Sequence, residues 1–418
     1  MKIAVVGSGI SGLSAAWLLN QRHQVTLYEA ADYLGGHTNT VDVTLDGMTY
    51  PVDTGFLVHN DLTYPNLIQL FEHLGVQTHA TEMTFSVSQP ALDIEWAGSS
   101  LATVFAQRKN LLRLQFWRML QEIVSFNNRS HKLLEWSEQR RITLGGLLDE
   151  YGYSRSFRRG YLLPMAAAIW SSSPSEILGF PASTFLRFCI NHRLLQIEGR
   201  PEWRSISGGG RSYVRKMAES LDVRLNHPVE EVIRENCMVE LTSRGETVTY
   251  DAVIFATHAP ETVHLLKDAD AAEQELLGSV RYQPNRAILH TDRQFLPQRE
   301  SLWSAWNYLS LGEEGNSVCV TYLLNHLQNL PFDTPLMVTL NPPQGMAPRG
   351  EIARFDYDHP IFDQAAIDAQ SRLQLIQGRN STWYCGAWCG YGFHEDGLKS
   401  ALRIIGDFGV EAPWPAIH

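Results

Sequence analysis

Short apolar runs of strand length, closed by glycine or by a charge, alternate along this chain with segments whose apolar residues recur at helical spacing. Ile3-Ala4-Val5-Val6 is the first run and enters Gly7-Ser8-Gly9-Ile10-Ser11-Gly12 directly. After a helix-length segment, Val25-Thr26-Leu27-Tyr28 ends on Glu29. This order predicts strand, glycine-rich turn, helix, strand and acid. Tyr250-Asp251-Ala252-Val253-Ile254-Phe255-Ala256-Thr257 predicts a buried parallel strand ending in small residues. Residues 82–200 read as mainly helical. Within them Leu112, Phe116, Met119 and Ile123 place Phe105 to Phe126 in one helix. From 268 to 375 the pattern turns to strands, with Val318 to Tyr322 and Leu336 to Leu340 rich in β-branched residues. Asn341-Pro342-Pro343-Gln344-Gly345 ends the latter.

The first turn carries chemistry. Gly7 permits the tight turn, Gly9 lets backbone approach a pyrophosphate, and Gly12 lets the helix pack on the strand. The helix N-terminus then presents free N–H groups to phosphate. Strand, helix and the acid about 20 residues on supply the context that a lone GxGxxG lacks, so a bound dinucleotide is expected. A second glycine pair follows the acid, in Gly35-Gly36-His37-Thr38. NAD has no need of it, whereas FAD, with its ribityl-flavin arm, needs more backbone surface.

With these residues the chain resembles the flavin amine oxidase and phytoene desaturase superfamily, whose members follow the acid with a Gly-Gly-Arg type motif. His37 holds the arginine's place. The resemblance extends through Ser205-Ile206-Ser207-Gly208-Gly209-Gly210-Arg211, the Val223 to Val229 strand and turn, Trp383-Tyr384-Cys385-Gly386-Ala387, and Gly392-Phe393-His394-Glu395-Asp396-Gly397-Leu398. Within the superfamily the chain is most similar to bacterial FAD-binding proteins linked with cyclopropane and furan fatty acid metabolism. They share segments like His394 to Gly397 and His290 to Asp292. The resemblance implies an α/β fold. A discontinuous Rossmann-like FAD-binding domain (1–81, 201–267 and 376–418) would carry an inserted α+β substrate domain (82–200 and 268–375). It also implies non-covalent FAD held by Gly7, Gly9, Ser11, Gly12, Glu29, Gly36, His37, Thr38, Thr54, Gly55, Phe56, Val229, Thr257, Gly386, Gly392, Asp396, Gly397 and Leu398. Asp53-Thr54-Gly55-Phe56 resembles the loop that passes under the isoalloxazine.

Length, composition and charge narrow the class. The chain has 418 residues, enough for two domains, and its 44% hydrophobic and 19% charged content is that of a globular enzyme. A net charge of −11 argues against a nucleic-acid partner, which needs a basic footprint. No apolar run approaches the roughly 20 residues that span a bilayer, and the glycine motif accounts for the apolar start better than a signal peptide does. A cytoplasmic protein is expected. The five cysteines are sparse and odd in number, which fits reduced thiols and no metal site. Attachment of flavin through His37 or Cys385 is an alternative with no support in the pattern.

The 105–126 segment has two readings. Arg108, Lys109, Arg113, Arg118 and Trp117 suit peripheral contact with the inner membrane face, and a solvated helix with its apolar side in the core suits them as well. Basic and aromatic residues from Tyr153 to Tyr161, just before the apolar Leu162 to Trp170, suit an amphiphile with an anionic head or an ordinary domain boundary.

Three residues are candidates for catalysis. His394, at the start of the helix expected by the flavin, is placed to handle a proton; the competing reading has it capping that helix beside Glu395 and Asp396. Phe393 takes the terminal aromatic position, and His290, with Asp292, is a weaker candidate. Backbone N–H groups near Gly397 and Leu398 are expected to stabilise reduced flavin. Flavin amine oxidases place a lysine in the strand facing N5 and a tyrosine cage beside it, but Leu289 to Arg293 has no lysine and Phe393 is not tyrosine. The expected function is FAD-dependent oxidation or desaturation of an apolar fatty-acyl or phospholipid-linked chain, with molecular oxygen as candidate acceptor. An amine oxidase, a carotenoid-type desaturase or isomerase, and a non-catalytic flavin module are the alternatives.

Overall fold

The computed structural model describes residues 1–196, 199–312 and 319–417. Its central sheet has five parallel strands in the order Asp222–Arg224, Gln24–Tyr28, Lys2–Val6, Ala252–Phe255 and Thr382–Tyr384. The apolar run at the start needs no polar alternation because both its faces are covered. Ile3 and Val5 pack with the helices Ile10–Leu19 and His394–Ile405, while Ala4 and Val6 face a three-stranded sheet of residues 229–250. Neighbouring strands leave Lys2–Val6 on both sides, so its C-terminal end is the switch point where such sheets open a ligand crevice. The glycine turn sits there.

A second, mostly antiparallel sheet of seven strands runs Glu351–Asp356, Arg286–His290, Met337–Leu340, Cys319–Leu323, Trp306–Leu309, Phe85–Gln89 and Ile94–Ala97. Helices Leu114–Arg140, Leu163–Trp170 and Ala182–Asn191 share its core, Phe126, Ala166 and Phe185 packing in one cluster with Val87 and Val320 of the sheet. Strands lie at 319–323 and 337–340; Val318 lies outside the described residues. Among the described residues no helix is long and apolar enough to cross a membrane.

The single helix expected from Phe105 to Phe126 is not formed. The chain makes a 3₁₀ turn at Arg108–Leu112, breaks at Arg113 (φ −95°, ψ 108°) and only then enters Leu114–Arg140. Arg113 is drawn out of helical geometry by Asp93, whose carbonyl and carboxylate accept its guanidinium at 2.6 and 2.7 Å. Phe116 and Met119 reach the core, but Leu112 is 89% exposed.

One ionic knot ties the three-stranded sheet to the last strand of the central sheet. Arg234 donates to both oxygens of Glu273 at 2.6 and 2.8 Å and to Asp268, and the Tyr384 hydroxyl donates to Glu273 at 2.7 Å. Burial alone would push the Glu273 carboxyl up; the Arg234 and Tyr384 hydrogen bonds outweigh it and hold the group below its ordinary value.

Candidate functional site

The turn after the first strand is a cradle in which each glycine has a different neighbour. Gly7 is left-handed (φ +98°), and a Cβ there would lie 2.9 Å from Ala256 O. A Cβ on Gly12 would lie 1.9 Å from Gly7 O, so this glycine sets how closely the helix packs. A Cβ on Gly9 would meet nothing within 4 Å, because Gly9 faces open space. Glu29, closing the second strand, accepts from Ser8 N (2.9 Å), Ser8 Oγ (2.5 Å) and Ala31 N (2.9 Å). Gly36 folds back over the turn, where a Cβ would come within 3.1 Å of Gly9 Cα.

This cradle opens on a cavity of about 870 Å³. Of the residues expected from sequence, Gly7, Gly9, Ser11, Glu29, Gly36, His37, Gly55, Phe56, Val229, Thr257, Gly386, Gly392, Phe393 and His394 line it. Gly12, Thr38, Thr54, Asp396, Gly397 and Leu398 stand behind the wall. Thr38 bonds Tyr213 OH (2.6 Å) and His394 Nε2 (2.8 Å), and Thr54 bonds Tyr357 OH (2.8 Å) and Asn39 O (3.0 Å). Thr38 supports the lining His394 directly, and Thr54 supports the lining His37 through Tyr357. Asp396 accepts the Phe393 N–H at 3.0 Å as a helix cap, and burial pushes its carboxyl up to about 6.

Two expectations need correction. Gly397 and Leu398 do not offer free N–H groups to a flavin: the helix starts at His394, and the Gly397 N–H already donates to Phe393 O at 3.0 Å. The donors of that turn without a helical partner belong to His394, Glu395 and Asp396. Gly397 instead permits helix contact, since a Cβ there would lie 2.7 Å from Ile10 Cγ2 and 2.8 Å from Ser11 Oγ. His290 is away from the cavity altogether. It ends a strand of the seven-stranded sheet, with Nε2 on Thr339 Oγ1 (2.7 Å) and Nδ1 accepting the Asp292 N–H (3.0 Å), both nitrogens serving structure.

His394 lines the cavity but is unsuited to take up a proton. Its ring stacks on Phe56 with centroids 3.6 Å apart, and Nε2 meets Thr38 Oγ1 (2.8 Å) and Tyr213 OH (3.1 Å). Burial, with His59 adding to it, pulls the imidazole down to about 3. At physiological pH it is a neutral, hydrogen-bonding part of the wall, as the packing reading of this residue has it. Phe393 lines the cavity beside it, stacked on Phe188 at 5.0 Å.

The cavity also gathers residues that no local motif marks. His37 packs against Tyr357 (4.9 Å) and His359 (5.3 Å), and its buried Nε2 has no partner among the described residues. Burial, then His359, His258 and His394, hold His37 well below its ordinary value. Beyond the cradle the wall becomes apolar and aromatic: Leu57, Val58, Met83, Ile169, Trp170, Trp203, Trp306 and Tyr322. These come from segments far apart in the chain, and only their apolar character was visible beforehand. Cys385 is a buried thiol and Cys389 a partly buried one, pushed up to about 12, and no metal-binding group occurs among the described residues.

A left-handed glycine turn, an open face at Gly9, an acid after the second strand and an unpaired His37 nitrogen fit a flavin dinucleotide. The cradle residues would hold its phosphates and ribose, and Gly55, Phe56, Phe393 and His394 would border its ring system.

A family model described as flavin containing amine oxidoreductase matches residues 10–326. The chain is 27% identical over 268 residues to a flavin-containing amine oxidase of Oncorhynchus mykiss, covering 61% of this chain and 49% of that protein. It spans about half the length of the curated relatives it matches. Among solved structures, a CLA-producing fatty acid isomerase from P. acnes superposes with a TM-score of 0.70 at 13% identity, covering 97% of this chain and 98% of the other. A putrescine oxidase superposes at 0.67 and 16% identity, covering 98% and 99%. At these identities the superpositions establish the fold.

Proposed function

The chain belongs to the flavin-containing amine oxidoreductase family, and from that premise we propose an FAD-dependent oxidoreductase that oxidises or desaturates an apolar, fatty-acyl type chain. The carrying observation is the composition of the chamber. The carboxylates on the cavity wall are Glu29, Glu261 and Asp358. Glu29 is bonded to Ser8, Glu261 pairs with His258 at 3.1 Å, and Asp358 adjoins His359 in the His37 cluster. The apolar wall of Leu57, Val58, Met83, Ile169, Trp170, Trp203, Trp306, Tyr322 and Phe393 carries no acid, so a protonated amine lying against it would lose its hydration without a counter-charge from that wall. An alkyl or alkenyl chain loses nothing there and gains apolar contact.

A bound flavin accepts a hydride at N5. Phe56 and Phe393 would then confine the reacting carbon, and neutral His394 would keep water out while hydrogen-bonding through its remaining nitrogen. The second reading, oxidation of an amine, is favoured by relatives named as a flavin-containing amine oxidase and a probable polyamine oxidase. Anaerobic mixing separates the two. Bleaching of the flavin absorbance by an unsaturated fatty acid, and not by putrescine or benzylamine, is the expected result. Bleaching by the amines alone, or by neither class, overturns the proposal.

A further inference from the structure

The broken helix exposes a feature the chamber does not use. Among the large hydrophobic side chains of the described residues, the three most exposed are Leu112 (89%), Leu114 (86%) and Leu101 (79%). Leu111 and Trp117, each 42% exposed, lie among them. These side chains are held outward by a rigid frame. Phe105, one turn beyond Leu101, packs on Phe116 (5.9 Å) and Trp117 (5.2 Å), and the Trp117 indole N–H donates to Leu111 O at 2.9 Å. Gln107 donates to Asp93 at 3.1 Å and accepts the Glu95 N–H at 3.0 Å, while Arg113 grips Asp93. The leucines therefore cannot turn into the core without dismantling this frame. Isolated exposed apolar residues need no explanation; a rigid cluster does.

Charge selects the partner. From Trp96 to Gln121 the chain contains Arg108, Lys109, Arg113 and Arg118 and no Asp or Glu, within a protein of net charge −11. Lys109 and Arg113 spend their charge on Asp93, and Arg118 meets Glu122. The four cations outnumber these two carboxylates, so the lobe stays locally positive. Projecting leucines and a tryptophan ringed by arginine and lysine have the chemistry of a segment that enters the boundary between lipid headgroups and acyl chains. An apolar protein partner would have no use for the cations.

We propose that residues 101–118 form a docking lobe that inserts Leu101, Leu112 and Leu114 into an anionic lipid surface. The inference stands apart from the substrate reading, since it rests on the outside of the fold. The test uses the full chain in co-sedimentation with phosphatidylcholine vesicles and with vesicles containing phosphatidylglycerol. Binding to the anionic vesicles is expected, weakened by salt, with about tenfold or greater loss in Leu112→Ser/Leu114→Ser and a smaller loss in Arg108→Glu. Both leucines are solvent-facing, so the double variant should keep the wild-type melting temperature and flavin content. Three results overturn the proposal: no binding to either vesicle, equal binding to neutral and anionic vesicles, or anionic binding unchanged in the double variant. A wild-type dimer in sedimentation velocity that the double variant turns to monomer, without vesicle binding, assigns the lobe to a second copy instead and also overturns it.

Discussion

A methyl group added at Gly9 or at Gly12 distinguishes the seat of the cofactor from the packing that supports it. Gly9 has φ −58° and ψ 175°, open to any residue, and its added Cβ meets no protein atom within 4 Å. Gly9→Ala should therefore leave the stability of the cofactor-free protein within about 0.5 kcal/mol of wild type. The new methyl stands where a pyrophosphate approaches the helix N-terminus, so FAD should bind at least about tenfold more weakly, or about 1.4 kcal/mol. Gly12→Ala differs. Its Cβ would sit 1.9 Å from Gly7 O and 2.8 Å from Ala256 Cβ, between the turn and the neighbouring strand. Relief requires the helix to back away by about 1 Å or more, and overpacking of that kind costs about 1–3 kcal/mol. Flavin fluorescence titration of the apoprotein and its thermal unfolding measure the two quantities separately. Gly9→Ala should lose affinity alone, and Gly12→Ala should lose both. A Gly9→Ala protein that binds FAD as tightly as wild type refutes the placement of the dinucleotide over this turn.

Three further outcomes follow from buried groups. Arg234→Met leaves the fully buried Glu273 without its cation, costing about 3–5 kcal/mol; over 418 residues that is about 3–6 °C in the melting temperature. Adding Glu273→Leu should recover part of the loss, and a single-variant shift under about 1 °C sinks the argument. Asp53 is held up at about 6 by burial, against 3.8 ordinarily, despite hydrogen bonds from Thr40 and Gly210. The folded protein thus keeps this proton more tightly than the unfolded chain, and the stability linked to it is present below pH 3.8 and is lost as pH rises to about 6. Asp53→Asn should gain about 2–3 kcal/mol relative to wild type between pH 4 and 7 in urea unfolding, and a constant difference refutes the assignment. Because His394 is pulled down to about 3, its neutral form stabilises the fold above pH 6.5 and that contribution fades as pH falls toward 3. His394→Gln should leave the pH profile of flavin reduction between pH 6 and 8 unchanged in shape; loss of an inflection near 6.5 would restore a proton-transfer role.

The dinucleotide turn was legible because its requirements are local: three glycines, a flanking strand and a helix lie within a short stretch of chain. Periodicity also identified Met337–Leu340 and the buried run Ala252–Phe255, since each strand is covered by its own sheet neighbours. It failed at Arg113, where the helical repeat continues through 112–123 but a carboxylate 20 residues earlier bonds the guanidinium and opens the backbone. Residue type and motif position left His394 with two readings and made His290 a candidate, and both turn on contacts of the same distant kind. His394 meets Thr38 across 356 positions and Tyr213 across 181, while burial, with His59 adding to it, holds its protonation down. His290 finds Thr339 on the adjacent strand, a pairing set by sheet register. Residue type offers a titratable group; only tertiary burial says whether it titrates in the useful range. The chamber obeys the same logic at larger scale. Met83, Trp170, Trp203, Trp306 and Phe393 read singly as core residues, and it is their convergence that gives the cavity its apolar, aromatic wall.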